Sequence, residues 1–506
     1  MKPQQVLTDF TDMRHAVEQH ARRAKSSLPT IAAIAVALAS SVVLMLGGCA
    51  SSAGIAPVAQ PIAPVSVGLD SAAPATPPLA TDWWRAFGDA PLSDLVDKAL
   101  AANPSLKVAQ ARLERARAAV AGAQSAEGLK VNGELNATRQ RFSANGIYPP
   151  PLGGGIFTIG TAQIGASYEF DFFGKNRAAI EAALGAERAA QADAQAARIL
   201  LASNVARTYV QLGRLFEQRD VAVRSLKQRD DILALVKQRV QGGLDTNVEL
   251  RQGEGALPES RQQIEQLDEQ IALTRHALAA LTAQPPAALD TLVVPLRSVQ
   301  LVPVPPAVPA DLLGRRADIA AARARIEAAG SDVKNAKASF YPNINLTAFV
   351  GLNSIGLDRL LRSGSEQYGI GPALTLPIFD AGRLRANLRG KTADLDAAVE
   401  SYNGAVIDAV HDVADQLSSV RSIERQQVEQ RSALASAESA YDLATQRYRA
   451  GLGTYLTVLN ADTSVLMQRR LGADLKARAL DVQLALIRAL GGGYADAATQ
   501  SAAAGE

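Results

Sequence analysis

A very long helical hairpin occurs twice in this chain, and an ordinary globular core cannot contain it. In the first copy, Phe173 and Arg177 open a helix-like stretch that runs to Arg239 and the turn Gly243-Leu244-Asp245-Thr246. In the second, Phe379 and Arg383 open a similar stretch ending at Arg447 and Gly451-Leu452-Gly453-Thr454. Arginine and turn glycine are 66 residues apart in one copy and 68 in the other. At about 1.5 Å per residue such a helix is roughly 100 Å long, whereas globular helices average about 11 residues.

A chain of 506 residues would ordinarily hold about three domains, but a duplicated helical chain escapes that count. Aromatics are only 5 % of it, and heavy use of alanine suits close helix packing better than a large core. Residues 1–48 hold five Lys/Arg and three Asp/Glu, so 47 of each sign remain afterwards and the net charge of +2 belongs to that leader. A balanced remainder gives no electrostatic footprint for nucleic acid.

Residues 1–48 read as a lipoprotein signal peptide. Arg22, Arg23 and Lys25 flank an apolar run over residues 31–46, shorter than the roughly 20 residues that span a bilayer. Leu46-Gly47-Gly48-Cys49 follows and resembles a bacterial lipobox, which makes Cys49 the expected acylated first residue of the mature chain. The plainer alternative is an incidental or buried cysteine. Cys49 is the only cysteine, which excludes a disulfide within one protomer. Residue 50 is Ala and not the Asp of inner-membrane retention, which favours the outer membrane.

Residues 49–80 are rich in Pro, Ala and Ser and are expected to form a flexible lipidated tether. The first repeat spans residues 81–284 and starts near Trp83-Trp84. Pro91 suits a first helical turn, and Leu92, Leu95, Val96, Ala99 and Leu100 follow at helical spacing. Asn103-Pro104 breaks that helix, and a second is expected over residues 105–127. A matching helix at about 311–339 opens the second repeat, residues 311–492, because Ala111-Arg112-Leu113-Glu114 corresponds to Ala324-Arg325-Ile326-Glu327. Residues 285–310 hold seven prolines and read as an extended linker. Residues 493–506 are expected to be a disordered tail.

Each repeat carries two strand-like stretches. Over 131–142, Val131, Gly133, Leu135 and Ala137 alternate with Asn132, Glu134, Asn136 and Thr138. Over 156–170, Gly160, Ala162, Ile164, Ala166, Tyr168 and Phe170 alternate with a more polar set. In the second repeat Ile344, Leu346, Ala348 and Val350 oppose Asn343, Asn345 and Thr347. The last strand sets Tyr368, Ile370, Leu374 and Leu376 against Gly369, Gly371 and Thr375. Alternation over about ten residues meets the requirement of a transmembrane β-strand, and a half-buried strand of a soluble sandwich reads the same way. Four strands close no barrel, and an open edge in hydrocarbon costs several kcal/mol per unpaired group. The membrane reading therefore requires several copies of the chain. Residues 143–155 and 352–366 would be the outward loops.

Leu395, Val399, Tyr402, Val406, Val410, Val413, Leu417 and Val420 form one apolar stripe on the second long helix. Leu201, Val205, Tyr209, Leu212, Phe216, Val223 and Leu226 do much the same on the first. Alanines on other faces would let each helix meet two neighbours, as a tube wall needs; a two-stranded coiled coil needs only one seam.

With these residues in view, residues 80–492 resemble the TolC/OprM outer-membrane efflux proteins, in particular their lipid-anchored NodT-type branch. The resemblance is carried by Asp82-Trp83-Trp84, Asn103-Pro104, Arg315-Arg316-Ala317-Asp318-Ile319, Ala338-Ser339-Phe340-Tyr341-Pro342-Asn343-Ile344, Leu376-Pro377-Ile378-Phe379 and Arg447-Tyr448-Arg449-Ala450-Gly451-Leu452. It implies a mainly α fold with transmembrane β: four strands per protomer forming a 12-stranded trimeric β-barrel, continued by a long periplasmic α-helical barrel. It also implies a homotrimer in the outer membrane of a Gram-negative bacterium, held there in part by acylated Cys49. The implied partners are a periplasmic adaptor and an inner-membrane pump, commonly of the RND type, with no cofactor in this chain. The function implied is a passive conduit exporting small toxic compounds. A type I secretion channel is the alternative within that class, and a coiled-coil or adaptor lipoprotein the alternative outside it. An adaptor would have one hairpin and a β-rich lipoyl-like domain.

The departures from the family pattern concern the ends of the repeats. The first repeat has Gly128-Leu129 where the second has Tyr341-Pro342, so that junction is expected to be looser. Many relatives carry acidic residues just past the second hairpin turn, where the closed tunnel constricts. The matching positions here are Thr457 and Asn460, with Asp462 two residues later, which puts an aspartate gate at those positions in doubt. Asp245 and Glu249 beside the first turn, together with Asp462, are the acidic gate candidates. Helix-end carboxylates favoured by the dipole are the bland alternative. Gly243 and Gly451 suit left-handed helix ends, Thr246 and Thr454 suit N-caps, and Leu244 and Leu452 are expected to receive the adaptor. His276 and His411 stand on separate helices without metal-ligating partners in sequence, and no phosphate loop is present, so neither an enzyme nor a metal site is expected.

Overall fold

The computed structural model describes residues 51–68, 79–302 and 312–494. The leader, Cys49 and residues 495–506 of the expected tail lie outside the described residues, as do parts of the tether and linker. In chain order the elements are α1 (Ala90–Ala102), α2 (Pro104–Gln124), β1 (Lys130–Arg141), β2 (Ile156–Phe170), α3 (Lys175–Gln241) and α4 (Asn247–Leu281). The second copy gives α5 (Ala317–Ala338), β3 (Asn343–Ile355), β4 (Glu366–Thr375), α6 (Arg383–Arg449) and α7 (Tyr455–Ala489). The hairpin helices match in length: α3 and α6 have 67 residues each, α4 and α7 have 35 each. The second copy's first helix starts later than expected, because residues 312–314 form a 3-10 turn and the first helical bond runs from Ala320 N to Arg316 O at 3.0 Å.

The chain divides into two units. One holds the sheet, with antiparallel strands in the order β1-β2-β3-β4. Its register puts Leu135, Ala162 and Leu352 in one row, and Ile164, Val350 and Tyr368 share the next. Val131, Leu135, Ile164, Val350, Tyr368, Ile370 and Leu374 all lie exposed on this one face. The opposite face carries Asn132, Glu134, Asn136, Gln163, Asn345 and Gln367. β3 runs to Ile355, where Ser354 and Ile355 still pair with Gly160 and Ile159, so the second outward loop is shorter than residues 352–366. Leu376 falls just beyond β4.

In the same unit, the two strand-to-helix junctions differ. Phe173 stacks on Tyr341 with centroids 4.8 Å apart and planes at 11°. Asn343 Nδ2 and Lys175 Nζ both donate to Glu169 Oε1, at 2.8 and 3.2 Å, and Asn335 Nδ2 donates to Lys175 O at 2.7 Å. Phe379 follows β4, at the edge of the sheet opposite β1, so Gly128, which stands in the place of Tyr341 ahead of β1, lies across the sheet and not beside it. Phe379 is 87 % exposed against 45 % for Phe173.

The second unit holds the main core. Trp83, Trp84, Phe87 and the apolar side of α1 are buried with Leu201, Val205, Tyr209 and Leu212 of α3 and Leu480 and Leu484 of α7. Asp89 is the N-cap of α1: its Oδ1 accepts from Leu92 N at 3.0 Å and from Tyr209 Oη at 2.8 Å. Its Oδ2 accepts from Ser298 Oγ at 2.5 Å. One buried carboxylate thus joins helix start, long helix and linker. Over residues 285–302 the proline-rich linker departs from an extended course with a 3-10 turn at Pro286–Leu289 and then enters the core: Val294 and Leu296 are fully buried against Gly213. A Cβ on Gly213 would lie 2.7 Å from Leu296 Cδ2. Gly185 plays the same part for α5, where a Cβ would lie 2.9 Å from Ala328.

Residues 58–67 depart from the expected tether. Val58 N and Ala59 N both donate to Asp396 Oδ1 at 2.9 and 3.0 Å, and Ile62 N donates to Asn403 Oδ1 at 2.7 Å. Ile62 and Val67 then pack on Ile319, Val406 and Ala409. The segment is held here by backbone bonds to side chains of α6 together with these two apolar contacts.

Candidate functional site

The two hairpin turns have one backbone design. Gly243 and Gly451 take left-handed φ values of 70° and 74°. Each turn closes by two bonds, Gly243 N to Val240 O (3.0 Å) and Leu244 N to Arg239 O (2.8 Å), then Gly451 N to Tyr448 O (3.0 Å) and Leu452 N to Arg447 O (2.8 Å). This is the Schellman arrangement, which satisfies the last helical carbonyls. It leaves Leu244 and Leu452 projecting outward, 68 and 69 % exposed. Val248 and Leu456, four residues on, are exposed as well, so each tip presents two apolar side chains, one in the turn and one at the start of the returning helix. Sequence reasoning missed Val248 and Leu456, although the spacing was there to be read.

The starts of the returning helices differ. Thr246 forms a complete capping box: Val248 N donates to its Oγ1 at 3.1 Å, and Glu249 Oε2 accepts from Thr246 N at 2.9 Å. Thr454 occupies the N-cap position without a side-chain capping bond, and its Oγ1 instead meets Thr457 Oγ1 at 3.0 Å. The difference follows from the residue three places on, Glu249 in one copy and Thr457 in the other, since a threonine is too short to reach back. Hydrogen bonds to Thr246 hold the Glu249 carboxyl below its usual range. Asn460 is exposed on α7.

Asp245 joins the two tips. Arg239 Nε and Nη2 donate to its two oxygens at 2.9 and 3.3 Å, and Tyr448 Oη donates to Oδ2. Arg239 Nη1 also donates to Tyr448 O at 3.1 Å, and its guanidinium lies 4.7 Å from the Tyr448 ring centroid. Tyr448 is fully buried among Ile232, Val236, Tyr441, Tyr455 and Val458. Burial disfavours the Asp245 charge, but the bonds from Arg239 and Tyr448 outweigh it and hold the carboxyl below its usual range. Burial, and then the bond to Asp245, push the Tyr448 hydroxyl up. In the second copy the places of Asp245 and Val240 are taken by Gly453 and Tyr448. Arg447, the counterpart of Arg239, donates to Leu452 O at 3.3 Å.

Asp462 lies deeper. It is buried and accepts from Arg229 Nε at 2.9 Å. Arg229 Nη1 also donates to Ser260 Oγ at 3.0 Å, beside Pro258 inside α4. Arg229 therefore ties α3, α4 and α7 together. The structure brings Asp245 to Tyr448 and Asp462 to Arg229, and engages Glu249 with Thr246; these are three separate sets of partners. Arg229 did not stand out in the sequence, where arginines are frequent and a partner 233 residues away leaves no local trace; Arg239 marked only a helix end there, although Asp245 lies six residues on and Tyr448 209.

An amphipathic sheet with two unpaired edges and two long hairpins joined at their tips are the parts of an outer-membrane channel protomer. The model of the outer membrane efflux protein family matches residues 95–284 and 308–492, and the chain belongs to that family. It is 34 % identical to the multidrug resistance outer membrane protein MdtQ of Escherichia coli O6:H1, over 82 % of this chain and 88 % of that one. The pyoverdine export outer membrane protein OpmQ of Pseudomonas aeruginosa is 32 % identical, over 81 % of this chain and 87 % of its own length. The crystal structure of the outer membrane protein VceC from Vibrio cholerae matches with a TM-score of 0.77 and 36 % identity, covering 82 % of this chain and 99 % of that one. The fold is TolC-like and mainly helical, and the protein is one of the outer membrane.

Proposed function

We propose that this chain is one third of a passive outer-membrane conduit, the exit duct of a tripartite efflux system. The observation that carries the reading is the sheet, whose apolar face is exposed and whose outer strands, β1 and β4, have unpaired edges. In hydrocarbon such edges cost several kcal/mol per group, and joining β1 of one copy to β4 of the next removes the cost. Three copies give twelve strands, with the apolar face to lipid and the polar face to water. Acylated Cys49 would add an anchor. A periplasmic adaptor, receiving Leu244, Val248, Leu452 and Leu456 at the tips, would link the duct to an inner-membrane pump of the RND type, which supplies the energy. The names of MdtQ and OpmQ support small toxic or chelating compounds as cargo.

The Arg239–Asp245–Tyr448 cluster is the gate element in this reading. It fastens the first hairpin to the second where the hairpins end, so a mouth that opens by separating them must break it. Reconstitution of the full chain in planar bilayers tests the conduit directly. Stepwise trimeric conductance is expected, and a protein that inserts but passes no current would refute the proposal.

A further inference from the structure

Glu134, Gln163, Gly351 and Gln367 stand in one row of the sheet register, on the polar face. Gln163 Nε2 donates to Glu134 Oε2 at 2.8 Å, and Gln367 Nε2 donates to Gln163 Oε1 at 3.0 Å. Gln163 is on β2 and Gln367 on β4, so their bond crosses over β3. It can cross because residue 351 has no side chain: a Cβ there would lie 2.4 Å from Ala162 O and 2.5 Å from Gln163 Cβ. The adjacent row on this face is Asn132, Gly165, Phe349 and Gly369, about 7 Å away along the strands. Phe349 lies across Gly369, where a Cβ would be 2.7 Å from its Cε1, and its ring is partly exposed.

The backbone ladder alone pairs these strands, so the amide relay is not needed for pairing. Its effect is to fix a carboxylate in the middle of the polar face, two strands and one row from an aromatic ring set between glycines. The other charges on this face are at the strand ends nearest the helices. Lys130 opens β1, and Glu169 is engaged by Lys175 and Asn343. Arg139 and Arg141 fall on the opposite face by strand alternation.

We infer that Glu134, held by Gln163 and Gln367, forms with Phe349 a recognition belt inside the barrel that favours aromatic organic cations. The inference rests on the trimeric conduit reading, which places three copies of the row around one lumen. A ring of carboxylates enriches cations locally, and an aromatic face beside it holds a quaternary ammonium or a flat cation.

The test uses the full-length trimer in planar bilayers, with benzyltrimethylammonium and benzenesulfonate added in turn to the extracellular side. The cation is expected to block the current and the anion of similar size not to. Glu134→Gln is expected to raise the half-blocking concentration about 5-fold, and Phe349→Leu about 3-fold. Equal block by the two probes overturns the belt, as does an unchanged half-blocking concentration in both variants. If Glu134→Gln fails to assemble, the Phe349→Leu channel and the cation–anion comparison decide. A wild-type protein that passes no current overturns the conduit reading itself, and this inference with it.

Discussion

Asp245 shows how one residue difference between two copies of a repeat can become a joint. Its counterpart is Gly453, and Tyr448 replaces Val240, so one copy supplies the carboxylate and the other the phenol that donates to it. Hydrogen bonds to a charged acceptor contribute about 1.5–3 kcal/mol. Tyr448→Phe and Asp245→Asn should each loosen the tips by about that much and raise the open fraction in single-channel records. The double variant should add little to either single one; full additivity would show that the two residues do not act together. The Asp245 carboxyl is held below its ordinary value of 3.8. Its stabilisation is therefore complete above that value and is lost only as pH falls below it. The open fraction of the wild type should stay flat from pH 8 to about 5. A rise within that window would assign gating to another group.

At the scale of elements, the repeats agree in helix length and differ in how the helices start. Thr246→Ala removes a working capping box and should cost about 1 kcal/mol, while Thr454→Ala removes no capping bond and should cost less. Hydrogen exchange of the amides at 247–250 and 455–458 would read the two losses separately, and equal losses would count against the distinction. Hairpins, turns and strands were legible in the sequence because each is written in a local period. The α6 stripe from Leu395 to Val420 is buried or half-buried throughout. On α3 the stripe fails at Val223, which is exposed while Val221 and Ala222 are buried. Helical period marks an apolar side without saying which neighbour covers each turn. The Asp89 hub, the Arg229–Asp462 pair and the row over Gly351 were illegible for a related reason, since each joins residues from distant parts of the chain. The docking of residues 58–67 was hidden because it joins backbone donors and two apolar side chains, Ile62 and Val67, to a helix more than 300 residues away.

For the whole molecule, the sheet edges and the hairpin tips are the surfaces left to other chains. Placing charge on both tips, with Leu244→Glu and Leu452→Glu, should abolish cross-linking to the adaptor in cells while trimers persist. Cross-linking that survives the double substitution would move the contact elsewhere. The two junctions in the sheet unit carry a different lesson. Phe173 rests on Tyr341 within the chain, whereas the residue in Tyr341's place ahead of β1 is Gly128, which the proposed assembly would bring to Phe379 only from the next copy. Had the duct been assembled from six identical half-length chains, any substitution would be copied six times around it, and no junction could change alone. In the proposed trimer, fusing two halves in one gene lets a substitution recur three times instead, so alternate junctions are free to diverge.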